Sequence, residues 1–368
     1  METPTLLETA DIYLWNTIAP IANQLDEDVE LLRSALRGLG DRHLLALRVP
    51  KIYNGAELEN HLFHSFQEQV ARFSGALAFL QTQHQSAGAI LSKSNNEDLK
   101  QAYLPYLATG EALVGIGFSH LRRHDNPPLK AVPLAGASAN ETNSGYQLHG
   151  HIPWITGFGF FETVLVAALL PNGQAVYGMI PFTDAAQNSG GSIRFSKPMQ
   201  LAAMSATNTV TAEVTEWNLE ASEVAFVADA GSIFKNDRIN VLNHSFFALG
   251  CAQAGLDIVS HAQETKPYLS IAPAYETLLE ELKLCRDFIY SAQEQSFEER
   301  LKLRVWAIDL AMRCAHAAVV VSSGAANSKQ HPAQRVYREA LVFSVAGQTT
   351  AVLEGTLDRI SATSRRHR

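Results

Sequence analysis

An α+β fold, with helices gathered at both ends of the chain and strands between them, is what the sequence predicts. Three observations carry it. Apolar residues recur three and four apart from Leu6 to Ala108; short apolar runs bounded by Gly, Pro, Asn and Thr fill the stretch from about Leu113 to Val227; and helical spacing returns from about Ile233. Strands and helices do not alternate along the chain, which argues against a βαβ nucleotide-binding fold.

The first block reads as helical through Ile18, Ile21, Ala22, Leu25, Val29 and Leu32, and later through Phe63, Phe66, Val70, Phe73 and Leu77. Breaks are expected at Gly38 to Gly40, at Asn54-Gly55 and at Lys93 to Asn96, where Asn96 can cap the next helix. In the middle block, the runs Thr163 to Leu170 and Ala175 to Ile180 flank Pro171-Asn172-Gly173, a strand, turn and strand. Thr209 to Trp217 alternates with period two and reads as another strand. In the last block, Leu278, Leu279, Leu282, Cys285, Phe288, Ile289 and Ala292 share one helical face, and a long helix is expected from about Phe297 to Ser322. There is no internal repeat or low-complexity tract. The expected divisions are 1–112 (helical), 113–230 (β) and 231–368 (helical).

A chain of 368 residues can bury a large core. With 37 acidic against 29 basic side chains, its formal charge of -8 disfavours a nucleic-acid backbone or an anionic membrane as main partner. Arg122-Arg123 and Arg365-Arg366 are local basic spots. Cys251, Cys285 and Cys314 are far apart, sit in apolar helical runs and have neither CxxC spacing nor a companion His cluster, so they read as buried thiols of a reducing compartment. The N-terminal stretch lacks the order of a signal peptide, and no uninterrupted apolar run of about 20 residues occurs. A cytoplasmic protein is expected.

Four anchors, in order, resemble the acyl-CoA dehydrogenase superfamily over nearly the whole chain. They are Glu97 to Glu111; Gly145 to Gly157 with its Trp154-Ile155-Thr156 ending; Met204 to Thr209, continued through Trp217 to Ala225; and Gln334 to Ala340, similar to an Arg-rich turn before the last active-site helix. The resemblance implies an N-terminal helical domain, a middle antiparallel β-barrel or sandwich, a C-terminal domain like a four-helix bundle, and FAD between the last two. It implies cofactor contacts at Ser119, Trp154, Thr156, Gln348 and Thr349. Trp154 would give the flavin a flat apolar wall and Thr156 a hydroxyl near its N5 edge. It also implies a homodimer or homotetramer formed through the C-terminal helices.

The chain departs from that pattern at several places. Gly117 to Arg123 replaces the family's acidic turn, leaving Ser119 to supply a hydroxyl, with His120, Arg122 and Arg123 available to an anionic group. The family arginine that reaches a neighbouring subunit's FAD diphosphate is replaced by Glu264 to Leu269, where Lys266 offers only a point charge. A Gly-rich turn is reduced to Ser-Ser-Gly-Ala-Ala-Asn at 322–327. Most consequentially, Gly347-Gln348-Thr349 stands where the family commonly has Glu-Gly-Thr, so the usual carboxylate is missing. A positioned base is worth about 10²–10⁴-fold. Two substitutes are considered. Glu354 opens a literal Glu-Gly-Thr but lies about two helical turns, roughly 10 Å, too far along. Asp237-Arg238 resembles an alternative carboxylate site, with Arg238 as a substrate contact, and ordinary helix capping explains the pair equally well.

Three functions follow. The first is a flavin-dependent oxidoreductase acting on an acyl thioester or related acyl substrate, carried by CoA or a carrier protein, with Asp237 or Glu354 taking the proton. The second is a flavin monooxygenase on the same scaffold, which needs no α-proton base; neither His316 nor His331 is convincingly placed to serve it. The third is a silent family member acting as a binding or assembly subunit.

Overall fold

Capping and apolar spacing together set the N-terminal helices. The computed structural model describes residues 4–123, 127–134 and 145–365; Arg366 lies outside them. Helix α1 (Leu6–Tyr13) opens on a reciprocal capping box between Thr5 and Glu8. Helices α2 (Val29–Gly40), α3 (Asn60–Phe73), α4 (Gly75–Leu91) and α5 (Glu97–Tyr103) follow, and Asn96 accepts the Leu99 N–H as its position predicts. One helical run predicted from the spacing of Ile18 to Leu32 does not form. Leu14–Ile18 is a wide π turn and Ala19–Ile21 and Gln24–Asp26 are 3-10 turns, because Pro20 has no N–H to continue an α-helical ladder.

The described strands form one nine-stranded sheet. They are β1 (Val114–Gly117), β2 (Leu129–Pro133), β3 (Tyr146–Ile155), β4 (Thr163–Leu169), β5 (Gln174–Pro181), β6 (Ala185–Ala186), β7 (Ser192–Phe195), β8 (Val210–Leu219) and β9 (Val224–Asp229). Their order is β6-β7-β8-β3-β2-β4-β5-β9, with β1 beside β4. The sheet is mostly antiparallel, but β1 and β2 pair with β4 in parallel. After β1 the chain enters a 3-10 turn, Ser119–Arg122, and crosses over where a hairpin would have reversed it. The predicted Asn172-Gly173 turn joins β4 to β5, with Gly173 at φ +82°.

Helices α6 (Ser232–Ile239), α7 (Ser245–Thr265), α8 (Ile271–Ser291), α9 (Phe297–Ser322), α10 (Pro332–Val345) and α11 (Thr350–Arg365) complete the chain. Gln334 to Ala340, read as a turn, lies inside α10. Helix α7 packs between α3 and α9, and a Cβ on Gly250 would stand 2.2 Å from the Glu68 carbonyl, so only glycine allows α7 to come this close to α3. By length and composition, Phe297–Asn327 is apolar enough to cross a membrane. Its positions Val305, Ile308, Leu310, Ala311, Cys314 and Ala315 are instead buried inside the helical bundle. All three cysteines are free and buried.

Buried polar groups tie the blocks together. Glu339 of α10 is fully buried, accepts the Gly75 N–H at the start of α4 at 2.9 Å, and pairs with Arg335 at 2.8 Å. Asp26 pairs with Arg338 and accepts the Met204 N–H. His84 of α4 faces β1: its Nδ1 accepts the Val114 N–H, leaving Nε2–H to donate to the Leu107 carbonyl, 3.1 Å each. Both ring nitrogens are thus satisfied in the neutral form, and burial pushes the pKa down to about 4.

Since His84 titrates lower when folded than its ordinary value of about 6.5, the unfolded chain takes up its proton first as pH falls. The stability tied to neutral His84 is therefore present above about pH 6.5 and is lost toward pH 4. Chemical denaturation between pH 4.5 and 7.5 should give an unfolding free energy that rises with pH, and His84→Gln should flatten the slope by up to about 1.4 kcal/mol per pH unit. An unchanged slope would show that His84 is not buried as the neutral ring.

Candidate functional site

A cavity of about 630 Å³ opens where the ends of β1 and β3 meet α3, α4 and the α6–α7 and α10–α11 junctions. That volume suits a cofactor or drug-sized ligand. A bulge between Ile152 and Ile155 resets the alternation at the end of β3, so that Ile155 turns into the core while Trp154 and, just past the strand, Thr156 line the cavity. Trp154 keeps 45% of its surface exposed, a large aromatic wall. Thr156 is buried with its Oγ1 3.0 Å from Thr209 Oγ1. Each hydroxyl has one proton, so when Thr209 donates, the Thr156 O–H is free for a ligand atom. Ser119, Gln348 and Thr349 also line the cavity.

The opposite wall is the turn between α10 and α11. Gly347 sits there at φ +57°, and a Cβ on it would lie 2.4 Å from Nε2 of His244. The imidazole occupies the space a side chain at 347 would need. His244 precedes α7, its Nδ1 has no hydrogen-bond partner among the described residues, and its ring lies edge-on to Phe247. Burial, reinforced by Arg304 and Arg122, pushes its pKa down to about 3, so it is neutral at ordinary pH.

Arg304, from the middle of α9, holds this turn in place. Its guanidinium donates to the carbonyls of Val241 at 3.0 Å, Ala346 at 2.7 Å and Gly347 at 3.1 Å. Burial lowers its pKa to about 10, with partial compensation from Asp237. One side chain thus joins the entry to α7 with the α10–α11 turn.

The remaining sequence candidates separate clearly. Asp237 lines the cavity from α6, but Arg122 grips both its oxygens at 2.7 and 2.8 Å, so its use as a base would break a partly buried ion pair. Arg238, the next residue, points away: it is exposed, stacks 3.9 Å over the Phe297 ring and lies 3.8 Å from Glu298. Helical geometry sends neighbours to different faces, which corrects its reading as a substrate contact. His120 is also corrected. It is buried, with Nε2 2.8 Å from the Ala167 carbonyl, and packs against the sheet away from the cavity lining. Glu354 is corrected as a base too, since it is exposed on α11 and only Val352 of that helix reaches the cavity. His316 is exposed beside Tyr337, and His331 caps α10. Lys266 donates to the Val321 carbonyl at the end of α9, which spends its charge on a helix terminus.

Sequence reasoning missed His244 and Arg304. A polar pair, Asn243-His244, directly before a long apolar helix, and an arginine amid the apolar positions of α9, were the available signals. Neither says that the two meet at Gly347.

A ligand crevice between a mostly antiparallel sheet and a C-terminal helical bundle defines the fold class. Butyryl-CoA dehydrogenase from Megasphaera elsdenii shares that fold, with a TM-score of 0.76 and 18% identity over 98% of this chain and all (100%) of its own. The profile described as "Acyl-CoA dehydrogenase, N-terminal domain" matches residues 2–111. Curated relatives include "3-(aryl)acrylate reductase" of Clostridium sporogenes, 20% identical with 91% of this chain and 92% of that protein covered. "Probable acyl-CoA dehydrogenase YngJ" of Bacillus subtilis is 22% identical with 91% of each covered. The profile over residues 2–111, the relatives covered over nine-tenths of their length and the shared fold together support membership of the acyl-CoA dehydrogenase superfamily.

Restoring a glutamate at position 347 should fail sterically. Gly347→Glu should cost about 1–3 kcal/mol from left-handed backbone strain and overpacking against His244. Adding His244→Ala should recover part of that loss, read from denaturation midpoints; a single variant as stable as the wild type would show that the ring does not fill this space.

Proposed function

We propose that the protein is a flavin-dependent oxidoreductase that binds FAD in the crevice between the sheet and the C-terminal helices, with an acyl substrate in the adjoining half of the cavity, against α3 and α4. The observation that carries this reading is the placement of Trp154 and Thr156 on one face of β3, opening onto the same cavity as the Gly347 turn. Superfamily membership and a relative named for reducing arylacrylates support it.

A flavin bound there would supply hydride transfer at its ring nitrogen N5. Trp154 offers a flat apolar wall to one side, and Thr156 offers a hydroxyl to a ring heteroatom. The Gly347 turn, fixed by Arg304, backs the reacting region and leaves space that a longer side chain would take. Among the described lining residues Asp237 is the one carboxylate, and it is held by Arg122. Beside the Gly347 turn the titratable lining group is His244, whose buried neutral ring is a weak base and carries no additional proton to donate at ordinary pH. This disfavours passage of a substrate α-proton through a protein carboxylate in either direction, and the reductive direction is supported by the relative named for reducing arylacrylates. The same lack of a free carboxylate favours a second reading, a flavin monooxygenase, in which no α-proton is removed.

The ring end of the cofactor fits these residues, whereas Lys266, which donates to the Val321 carbonyl, offers the diphosphate a point charge in place of an arginine fork. Homodimer or homotetramer formation is part of the proposal. Leu341, Val345, Leu357 and Ile360 of α10 and α11 remain 48–62% exposed, an apolar surface suited to self-association.

The absorbance spectrum of the purified protein tests the reading. FAD should be present or taken up on addition, and Trp154→Ala should weaken its binding at least about tenfold, near 1.4 kcal/mol. Direct anaerobic reduction by an acyl-CoA would support a dehydrogenase, reoxidation of the reduced flavin by an arylacrylate a reductase, and oxygen-dependent turnover with an external reductase a monooxygenase. Protein that is colourless and takes up neither FAD nor FMN would leave the binding-subunit function standing. Because His244 is already neutral, activity should show no inflection near pH 6.5 attributable to it.

A further inference from the structure

The cavity lining is lopsided in charge. Arg48, Lys93, Arg122 and Arg304 face it with Asp237 as the one described acidic side chain. Arg122 is neutralised by Asp237, Arg304 gives both terminal nitrogens to three carbonyls and keeps only a buried Nε without a partner among the described residues, and Lys93 is exposed to solvent. Arg48 is different. It lies half-buried on the segment between α2 and α3, with its guanidinium 5.2 Å above the Phe63 ring, and makes no ion pair or hydrogen bond among the described residues. Burial lowers its pKa and no carboxylate raises it back. A cation partly removed from water and left unpaired is disfavoured, and an anion beside it removes much of that cost.

Gln67 supplies a second, independent sign. It is 2% exposed and lines the same cavity from α3, one turn beyond Phe63. Its Oε1 accepts from Gln81 Nε2 at 2.6 Å, and Gln81 Nε2 also donates to the Ala78 carbonyl at 3.0 Å. The second bond fixes the orientation of the Gln81 amide and therefore that of Gln67. Gln67 Nε2 is left as a buried donor without a partner among the described residues. His64, on the same stretch of α3, is pushed down to about 4 by burial and adds no charge.

We propose that the α3–α4 half of the cavity receives an organic carboxylate: the substrate enters as a free acid, its carboxylate held by Arg48 and the Gln67 amide and its apolar body lying along Phe63, Phe79 and Phe247. This rests on the reading of the cavity as a flavin site with its substrate on the α3 side. An arginine fork matches a carboxylate in shape, and a neutral amide donor adds a further hydrogen bond without altering the charge balance. The other source of negative charge is the phosphate of a CoA thioester, and the test separates the two.

The experiment is calorimetric titration of the full-length protein, with and without added FAD, so that flavin uptake and acid binding are read independently. The probes are 3-phenylpropanoate and octanoate, their uncharged amides, octanoyl-CoA and CoA alone. At least one acid should bind ten times or more tightly than its amide. Arg48→Met should abolish that preference, Arg48→Lys should retain part of it, and Gln67→Leu should weaken the acid several-fold, with wild-type circular dichroism in each case. The proposal is overturned if the amides bind as well as the acids, if no acid binds below the millimolar range, or if the preference survives Arg48→Met. It is equally overturned if octanoyl-CoA is the ligand that depends on Arg48. Failure of flavin uptake with acid preference intact would instead remove the redox reading and leave the anion site.

Discussion

The three-carbonyl grip of Arg304 is the constraint on which the site depends. Two chain reversals, one leading into α7 and one between α10 and α11, bring peptide carbonyls to the buried middle of α9. A buried carbonyl without a donor is expensive, and a buried guanidinium without acceptors is more so. The two terminal nitrogens of Arg304 and the three carbonyls satisfy one another, Nε alone staying without a partner among the described residues, and the result places Gly347 against His244. The wall of the cavity facing β3 is therefore set by a residue that scarcely contributes surface to it.

On the sheet side, the corresponding element is the alternation of β3. The bulge between Ile152 and Ile155 resets that alternation, and past it Trp154 and Thr156 fall together on the cavity side. This explains why that half was legible in the sequence: a strand pattern with a Trp-Ile-Thr ending fixes which side chains share a face. The helix limits of α9 and the cap at Asn96 were legible for the same reason, since both depend on neighbours within a few positions. The π and 3-10 path from Leu14 to Asp26 was not, because one proline outweighed an otherwise helical spacing.

The bundle side depends on separations of 42 to 63 residues, and nothing local encodes them. Asp237 illustrates the difficulty. Its position before α7 is plain from the sequence, but its partner Arg122 lies 115 residues earlier, in the turn after β1. His120 and Arg238 show the converse: each sits next to a residue that does line the cavity, and a rotation of one position turned it elsewhere. Charge was legible only in total. A negative chain encloses a cavity whose lining is predominantly positive, and composition averages that contrast away.

The packing of Gly347 against the His244 ring has a consequence for the history of the chain. A carboxylate and this imidazole are rival tenants of one volume, so exchanging one for the other takes two substitutions, and each order passes through a clash or a void. Such a pair acts as a ratchet: while the ring stays in place, a side chain at position 347 is resisted by exclusion, and the shape of the turn is guarded by its neighbour.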